Sequence, residues 1–138
     1  MKVIVVNQSG CRIDAGVIKR KAGRILKKLK KNWVVGIFFV PKKKIRDLNR
    51  KYRRKNKGTD VLSFEMKEDG YLGDIIISPE VAKKNAREYG VNYSEEVSGL
   101  VIHGLLHLLG YDHKLKKEKA KMFKIQDQLL KEVWSRYA

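Results

Sequence analysis

The residues of this chain that are best suited to chemistry lie in one short segment near its C-terminal end. His103, His107 and His113 are its only histidines, and all three fall within eleven positions. An α-helix advances about 3.6 residues per turn, so His103 and His107 share one face and can bind one cation together. Gly110 can end that helix in a left-handed turn, which brings His113 back as a third ligand. The spacing therefore predicts a metal site.

A histidine that stands alone on an apolar helix is more often a hydrogen-bonded core residue than a metal ligand. The clustering of all three histidines at ligand spacing favours the metal here. Three protein ligands without a nearby cysteine are typical of a catalytic zinc site with an open coordination position, whereas structural sites usually use four ligands that include cysteines. We therefore predict one zinc ion, and three histidines also accept nickel or cobalt.

Zinc peptidases of the metzincin kind have histidines at the same spacing, in the pattern H-E-x-x-H-x-x-G-x-x-H. In this chain Gly104 stands where the general-base glutamate of a peptidase is expected. The pattern thus predicts metal binding but disfavours the peptidase mechanism. Asp112, which precedes His113, has two interpretations: it orients a histidine ligand, or it accepts backbone amide hydrogen bonds in a helix-ending turn.

The formal net charge is +17, from 32 basic and 15 acidic residues. Residues 19–31 contain no acid and residues 42–57 contain only Asp47, so the positive charge is clustered. The lysine-rich surface of a heat-adapted protein is the simpler explanation. Such a surface would also be rich in glutamate, which these two segments lack. We expect a nucleic acid as the partner. An anionic membrane is disfavoured because neither segment has the apolar face of an interfacial helix.

Length and composition indicate one domain, spanning residues 1–138, whose 43% hydrophobic content is sufficient for a core. The longest apolar run, from Trp33 to Val40, is too short to span a bilayer, and we expect no signal peptide. The single cysteine, Cys11, fits a reducing compartment and the role of a small filler. We therefore expect a cytoplasmic protein with no membrane partner.

The pattern of elements predicts an α+β fold, with a small mixed sheet of about four strands and about five helices around a central histidine-bearing helix. The first two strands should be parallel across a helical crossover, and the last two should form an antiparallel hairpin. The expected strands are 2–7, 34–40, 60–66 and 71–78. The expected helices are 14–30, one from Pro41, 79–90, one capped by Ser94, and 116–137.

Two of these helices carry more detailed expectations. In the helix that begins at Pro41, Ile45, Leu48 and Tyr52 should point inward and the basic residues outward. The histidine-bearing helix is apolar almost all round, so we expect it to be buried at the centre of the fold.

Four segments together resemble the successive signatures of the YbeY family, in the same order and at the same spacing over roughly residues 40–125. They are Leu48-Asn49 to Tyr52-Arg53, Thr59 to Phe64, Leu72-Gly73-Asp74-Ile75, and His103 to His113. Two departures are minor: Gly58 precedes Thr59, and Glu65 follows Phe64, where the family frequently has proline.

The resemblance implies a metal-hydrolase-like fold and a metal-dependent endoribonuclease directed at single-stranded RNA. Such an enzyme would mature the 3′ end of small-subunit ribosomal RNA and serve ribosome quality control. The implied partners are ribosomal RNA, the small subunit, and ribosomal proteins or assembly GTPases.

The resemblance also assigns roles to residues. His103, His107 and His113 would be the metal ligands, and His103, His107 and Arg53 would be catalytic. The planar guanidinium of Arg53 suits a phosphate clamp. The candidates for contacts to the RNA backbone are Arg53 with Lys42, Lys43, Lys44, Arg46, Arg50 and Arg54.

Two alternatives to the ribonuclease remain. One is a non-catalytic RNA-binding factor of ribosome assembly whose metal is structural, which a fourth protein ligand would favour. The other is a metallopeptidase, which Gly104 disfavours. The group that transfers protons also stays open, between hydroxide on the metal, the 2′-hydroxyl of RNA, and another residue.

Overall fold

A mixed four-stranded sheet organises the protein, seen in a computed structural model that describes residues 2–29, 32–53, 60–111 and 116–134. The strands are β1 (Lys2–Asn7), β2 (Val34–Phe39), β3 (Val61–Glu68) and β4 (Tyr71–Ile77). The helices are α1 (Ala15–Lys28), α2 (Lys42–Arg53), α3 (Pro79–Tyr89), α4 (Tyr93–Leu108) and α5 (Lys116–Leu129), and a π-helical turn (Leu130–Trp134) follows. The predicted α+β class, with four strands and five helices, is confirmed. In the described ranges, no helix has the length and apolar character needed to cross a membrane.

The strand order is β1-β2-β4-β3. β1, β2 and β4 are parallel, and β3 is antiparallel to β4. The crossover through α1 and the β3–β4 hairpin are therefore as predicted. Asp69 and Gly70 both have positive φ, at 51° and 80°, which is the requirement of a two-residue hairpin turn whose twist matches the strands.

The two faces of the sheet are covered by different helices. On one face, Ile75 of β4 packs in a core with Leu26 of α1 and Leu105 of α4. On the other face, Ile45 of α2 packs against Leu62 and Ile76. Because successive side chains of a strand point to opposite faces, Ile75 and Ile76 serve different cores. The sheet therefore separates α2 from the histidine-bearing α4.

Helix α4 is buried, as its apolar sequence predicted, but it begins earlier than expected. Its N-cap is Asn92, whose Oδ1 atom accepts a hydrogen bond from the Glu95 backbone amide at 2.7 Å. Asn92 has the extended backbone conformation that an N-cap requires, whereas Ser94 already lies inside the first turn. The predicted Ser94 cap was wrong.

A second correction concerns Tyr52, which was expected to point inward from α2. Ile45 is fully buried and Leu48 is half-buried, but Tyr52 is 58% exposed. Its ring meets Phe64 edge-on, with a centroid distance of 5.6 Å. Tyr52 lies in the last turn of α2, where it reaches the rim of the smaller core rather than its centre.

The last helix also differs from its prediction. It begins at Lys116 as expected, but the α-helical pattern ends at Leu129 and gives way to the π-helical turn. Met122 and Leu129 on its inward side are both buried.

Candidate metal centre

Two of the three predicted ligands lie one turn apart on α4. His103 and His107 are both half-buried, while Ile102, Leu105 and Leu106 around them are fully buried. Their i, i+4 spacing places both imidazoles on one side of the helix. Helix α4 therefore presents a pair of imidazoles from an otherwise apolar surface.

His103 is held by a residue from another helix. Its Nδ1 atom lies 3.1 Å from the Oε1 atom of Gln126 on α5. Because an amide oxygen only accepts hydrogen bonds, the imidazole donates its Nδ1–H and carries its lone pair on Nε2. Metal-binding histidines are usually oriented by a contact of this kind. Gln126 lies 23 residues away in sequence, outside the motif that pointed to the histidines.

The glycine turn after α4 has the geometry that the sequence predicted. Gly110 has a φ of 101°, and its amide donates to the His107 carbonyl at 3.1 Å. The Tyr111 amide donates to the Leu106 carbonyl at 3.0 Å. This pair of hydrogen bonds is a Schellman motif, which ends a helix and turns the chain.

The remaining part of the motif follows that turn. Asp112 and His113 lie outside the described residues. Within the described part of the chain no three histidine, cysteine or acidic residues form a cluster able to hold a metal. The third ligand, and the orienting role of Asp112, therefore stay predictions.

Gly104 does not face the histidine side of α4. A Cβ atom at this position would lie 2.7 Å from Cγ2 and 3.1 Å from Cδ1 of Ile75, and real Cβ atoms essentially never approach within 3.0 Å. Glycine is thus what lets α4 pack closely on β4. A glutamate here would push its carboxylate into the apolar core, where an unpaired charge is strongly disfavoured. Packing explains the absence of a peptidase-type base.

Phe123, which no sequence pattern singled out, also lies beside His103. The two ring centroids are 6.4 Å apart and the ring planes are inclined by 34°. Phe123 is 43% exposed, although its neighbour Met122 is buried. Helix α5 therefore contributes both a polar and an aromatic side chain to the surroundings of His103.

A carboxyl group lies two turns before His103 on the same helix. The pKa of Glu96 is raised, first by burial and then by the charge of Asp60, while a hydrogen bond from Asn85 opposes the shift. Asn85 also donates to Oδ2 of Asp60 at 3.1 Å. The two acids thus share one amide donor, and Glu96 takes up a proton more readily than an ordinary glutamate.

The Leu72-Gly73-Asp74 segment has a structural role within β4. Gly73 has a φ of 151°, and a Cβ atom there would collide with the backbone carbonyl of Phe64 on β3. The Tyr71 hydroxyl donates to Oδ1 of Asp74. Burial and this carboxylate together raise the pKa of Tyr71, so the phenol stays protonated.

The five predicted RNA-binding cations whose side chains the structure describes lie on a different face of the sheet from the histidines. Lys42, Lys43, Lys44, Arg46 and Arg50 are all exposed on α2. This helix covers the sheet face opposite α4.

Other contacts of α2 involve acidic residues. Oδ1 of Asp47 lies 3.4 Å from Nη2 of Arg50, and Oε1 of Glu80 accepts a hydrogen bond from the Lys42 amide at 3.0 Å. Arg53 is the last residue of α2, but the placement of its side chain lies outside what the structure describes, as does Arg54.

The fold and site define a small α+β protein with a four-stranded mixed sheet and a buried helix that carries paired histidines. The sequence model of one family, described as endoribonuclease YbeY, matches residues 4–134. The chain belongs to the YbeY family.

Comparison with individual relatives supports the same family. The chain is 37% identical over 146 residues to endoribonuclease YbeY of Persephonella marina, covering 99% of this chain and 95% of that protein. It is 40% identical over 132 residues to the Aquifex aeolicus protein of the same name, covering 77% and 88%. The solution structure of TM1509 from Thermotoga maritima superimposes with a TM-score of 0.74 at 31% identity, covering 98% of this chain and 91% of that one.

Proposed function

We propose that this protein is a metal-dependent endoribonuclease that cleaves single-stranded segments of ribosomal RNA in the cytoplasm. Its task would be maturation of the small-subunit RNA at the 3′ end and ribosome quality control. The observation that carries the proposal is the contact between Gln126 and His103, in a chain whose relatives are named endoribonucleases. That contact is what a metal-binding imidazole needs for a fixed orientation.

The residues present fit a metal ion. His103, His107 and His113 would hold one zinc ion, or alternatively nickel or cobalt. When bound, the ion supplies Lewis acidity, which lowers the pKa of water and stabilises negative charge on a phosphoryl oxygen. Gln126 keeps the Nε2 lone pair of His103 directed away from α5, and Gly104 keeps α4 seated on the sheet.

The exposed cations of α2 would neutralise phosphates without reading the base sequence. Arg53, at the end of α2, would clamp a phosphate and Arg54 would add to this set. Because β3 is an outer strand that contacts both α2 and α4, RNA could reach the cations and the histidines around this edge. Specificity would come from RNA shape and from partners, namely the small subunit, ribosomal proteins or assembly GTPases.

The choice of RNA over peptide rests on two observations. The net charge of +17 attracts a polyanion. Gly104 faces Ile75 at a distance that leaves no room for the carboxylate of a peptidase. A peptide substrate would have neither a complementary surface nor the usual general base.

The direct test offers precursor ribosomal RNA and a peptide library to the same zinc-loaded preparation. We expect RNA cleavage alone, and its loss in His107→Ala with RNA affinity largely retained. Equal cleavage by His107→Ala and wild type, both free of contaminating nuclease, would contradict metal catalysis. RNA binding without cleavage by either protein would instead support an assembly factor.

A second variant tests the phosphate-binding role of Arg53 independently of metal binding. Arg53→Ala should lower the cleavage rate while bound zinc, measured by elemental analysis, stays at the wild-type ratio. Loss of zinc from Arg53→Ala would show a folding defect and contradict the phosphate-clamp role.

A further inference from the structure

We infer that Phe123 is a stacking platform for one unpaired nucleobase of the RNA beside the histidines. The inference rests on the proposed function and adds a base-binding subsite to it. The feature behind it is an aromatic ring, 43% exposed, next to an imidazole.

The geometry places Phe123 and Gln126 on the same side of α5. They are three residues apart, so their side chains are neighbours on the helix surface. Gln126 lies 3.1 Å from Nδ1 of His103, and the Phe123 ring centroid lies 6.4 Å from the imidazole centroid. One side of α5 thus flanks His103 with an orienting amide and, one turn earlier, an aromatic ring.

Phe123 is more exposed than the apolar residues that anchor α5. The apolar residues that anchor α5, Met122 and Leu129, are 1% and 3% exposed. Isolated exposed apolar residues are common and usually need no explanation. Phe123 differs because its ring adjoins a predicted metal ligand, His103.

An exposed aromatic ring on a strongly basic protein suits one ligand class in particular. Proteins that bind single-stranded nucleic acid stack bases on aromatic rings and neutralise the backbone with lysine or arginine. An apolar side chain of a partner protein would also fit the ring, but it would gain nothing from the positive charge of this protein. The net charge of +17 therefore favours the nucleic acid.

The test uses single-stranded oligoribonucleotides in which one 2-aminopurine is moved along the sequence, because stacking quenches its fluorescence. Phe123→Leu keeps an apolar side chain but removes the aromatic face, while Phe123→Tyr keeps that face. Tyr89→Leu is the control, since Tyr89 is 68% exposed at the end of α3.

We expect quenching at one position to be lost in Phe123→Leu and kept in Phe123→Tyr and Tyr89→Leu. Binding by Phe123→Leu should weaken by about 10-fold, the usual effect of removing one stacked base. In cleavage assays KM should rise more than kcat falls. Bound zinc should be unchanged, because Gln126 rather than Phe123 orients His103.

Equal quenching in Phe123→Leu and wild type at every position would overturn the inference. Loss of quenching in Phe123→Tyr would do the same, as would loss of zinc from Phe123→Leu, which would mean that the ring supports His103. Weaker binding of Phe123→Leu to ribosomal proteins, with RNA binding unchanged, would assign the ring to a protein partner. If the wild-type protein shows Phe123-dependent quenching but cleaves no RNA, the proposed function is contradicted and the stacking platform is supported.

Discussion

Nδ1 of His103 on α4 lies 3.1 Å from Oε1 of Gln126 on α5. The contact joins two helices and fixes which imidazole nitrogen carries the proton. His103 therefore presents its Nε2 lone pair in one orientation before any ion arrives. In a protein proposed to bind a metal through histidines, this contact would orient the His103 imidazole before the ion binds.

Replacing Gln126 should weaken metal binding. Gln126→Leu removes the acceptor for Nδ1–H, and we expect zinc affinity to fall roughly 10- to 100-fold, the usual effect of losing such a partner. Gln126→Glu should restore the affinity because a carboxylate accepts the same hydrogen bond. Competition with a chromophoric zinc chelator measures the change.

The control is Gln128→Leu, since Gln128 bonds only Glu132 among the contacts seen for its side chain. If Gln126→Leu binds zinc as tightly as wild type, Gln126 has no part in preparing the ligand. If Gln126→Glu fails to restore affinity, the effect of the leucine is steric.

Adding one methyl group at Gly104 should destabilise the fold. In Gly104→Ala the Cβ atom meets Ile75, and overpacking of this kind costs about 1–3 kcal/mol in the free energy of unfolding. Gly16→Ala is the matched control, because its Cβ atom would lie 3.7 Å from Oδ1 of Asp14, an ordinary contact. Urea denaturation measures both.

A double-mutant cycle tests the cause. Ile75→Ala removes the three atoms that the new methyl group meets, so it should cost less in the Gly104→Ala background than in wild type. Equal costs in both backgrounds would show that the two positions do not interact.

The start of α4 can be tested with two substitutions that are equally small. Asn92→Ala removes the acceptor of the Glu95 amide and should cost about 1 kcal/mol of unfolding free energy. Ser94→Ala, inside the first turn, should be nearly neutral. Thermal unfolding followed by circular dichroism compares the two variants. A larger loss of stability in Ser94→Ala than in Asn92→Ala would show that Ser94 is the N-cap.

Glu96 should make stability depend on pH. Burial and Asp60 raise its pKa in the folded protein above the ordinary 4.5. A raised carboxyl pKa contributes stability that is fully present below the unfolded-state pKa and is lost as the pH rises through the folded value. Glu96→Gln, which is never charged, should therefore gain stability over wild type as the pH rises from about 4 to about 7.

Urea titrations at the two pH values measure this difference. Glu88→Gln, which removes an exposed negative charge from α3, controls for the change in net charge. A Glu96→Gln difference that is the same at both pH values would contradict a raised pKa.

Local patterns in the sequence predicted much of this protein. Apolar periodicity located the strands and helices, and the i, i+4 spacing of His103 and His107 placed both on one face of α4. Gly110 was predicted as the helix-ending turn and has that geometry. These features depend on residues within a few positions of one another, so the pattern along the chain is sufficient.

Contacts between distant segments could not be predicted from these local patterns. Gln126 reaches His103 because α5 packs beside α4, and Gly104 is a packing residue because α4 sits directly on Ile75. The cations of α2 are separated from the histidines because neighbouring strand residues point to opposite faces of the sheet. Spacing along the chain was enough to indicate which residues can do chemistry, because spacing sets the face of a helix on which a side chain lies. The packing of helices on the sheet decided which partners they meet, because no periodicity along one segment encodes its neighbour in another.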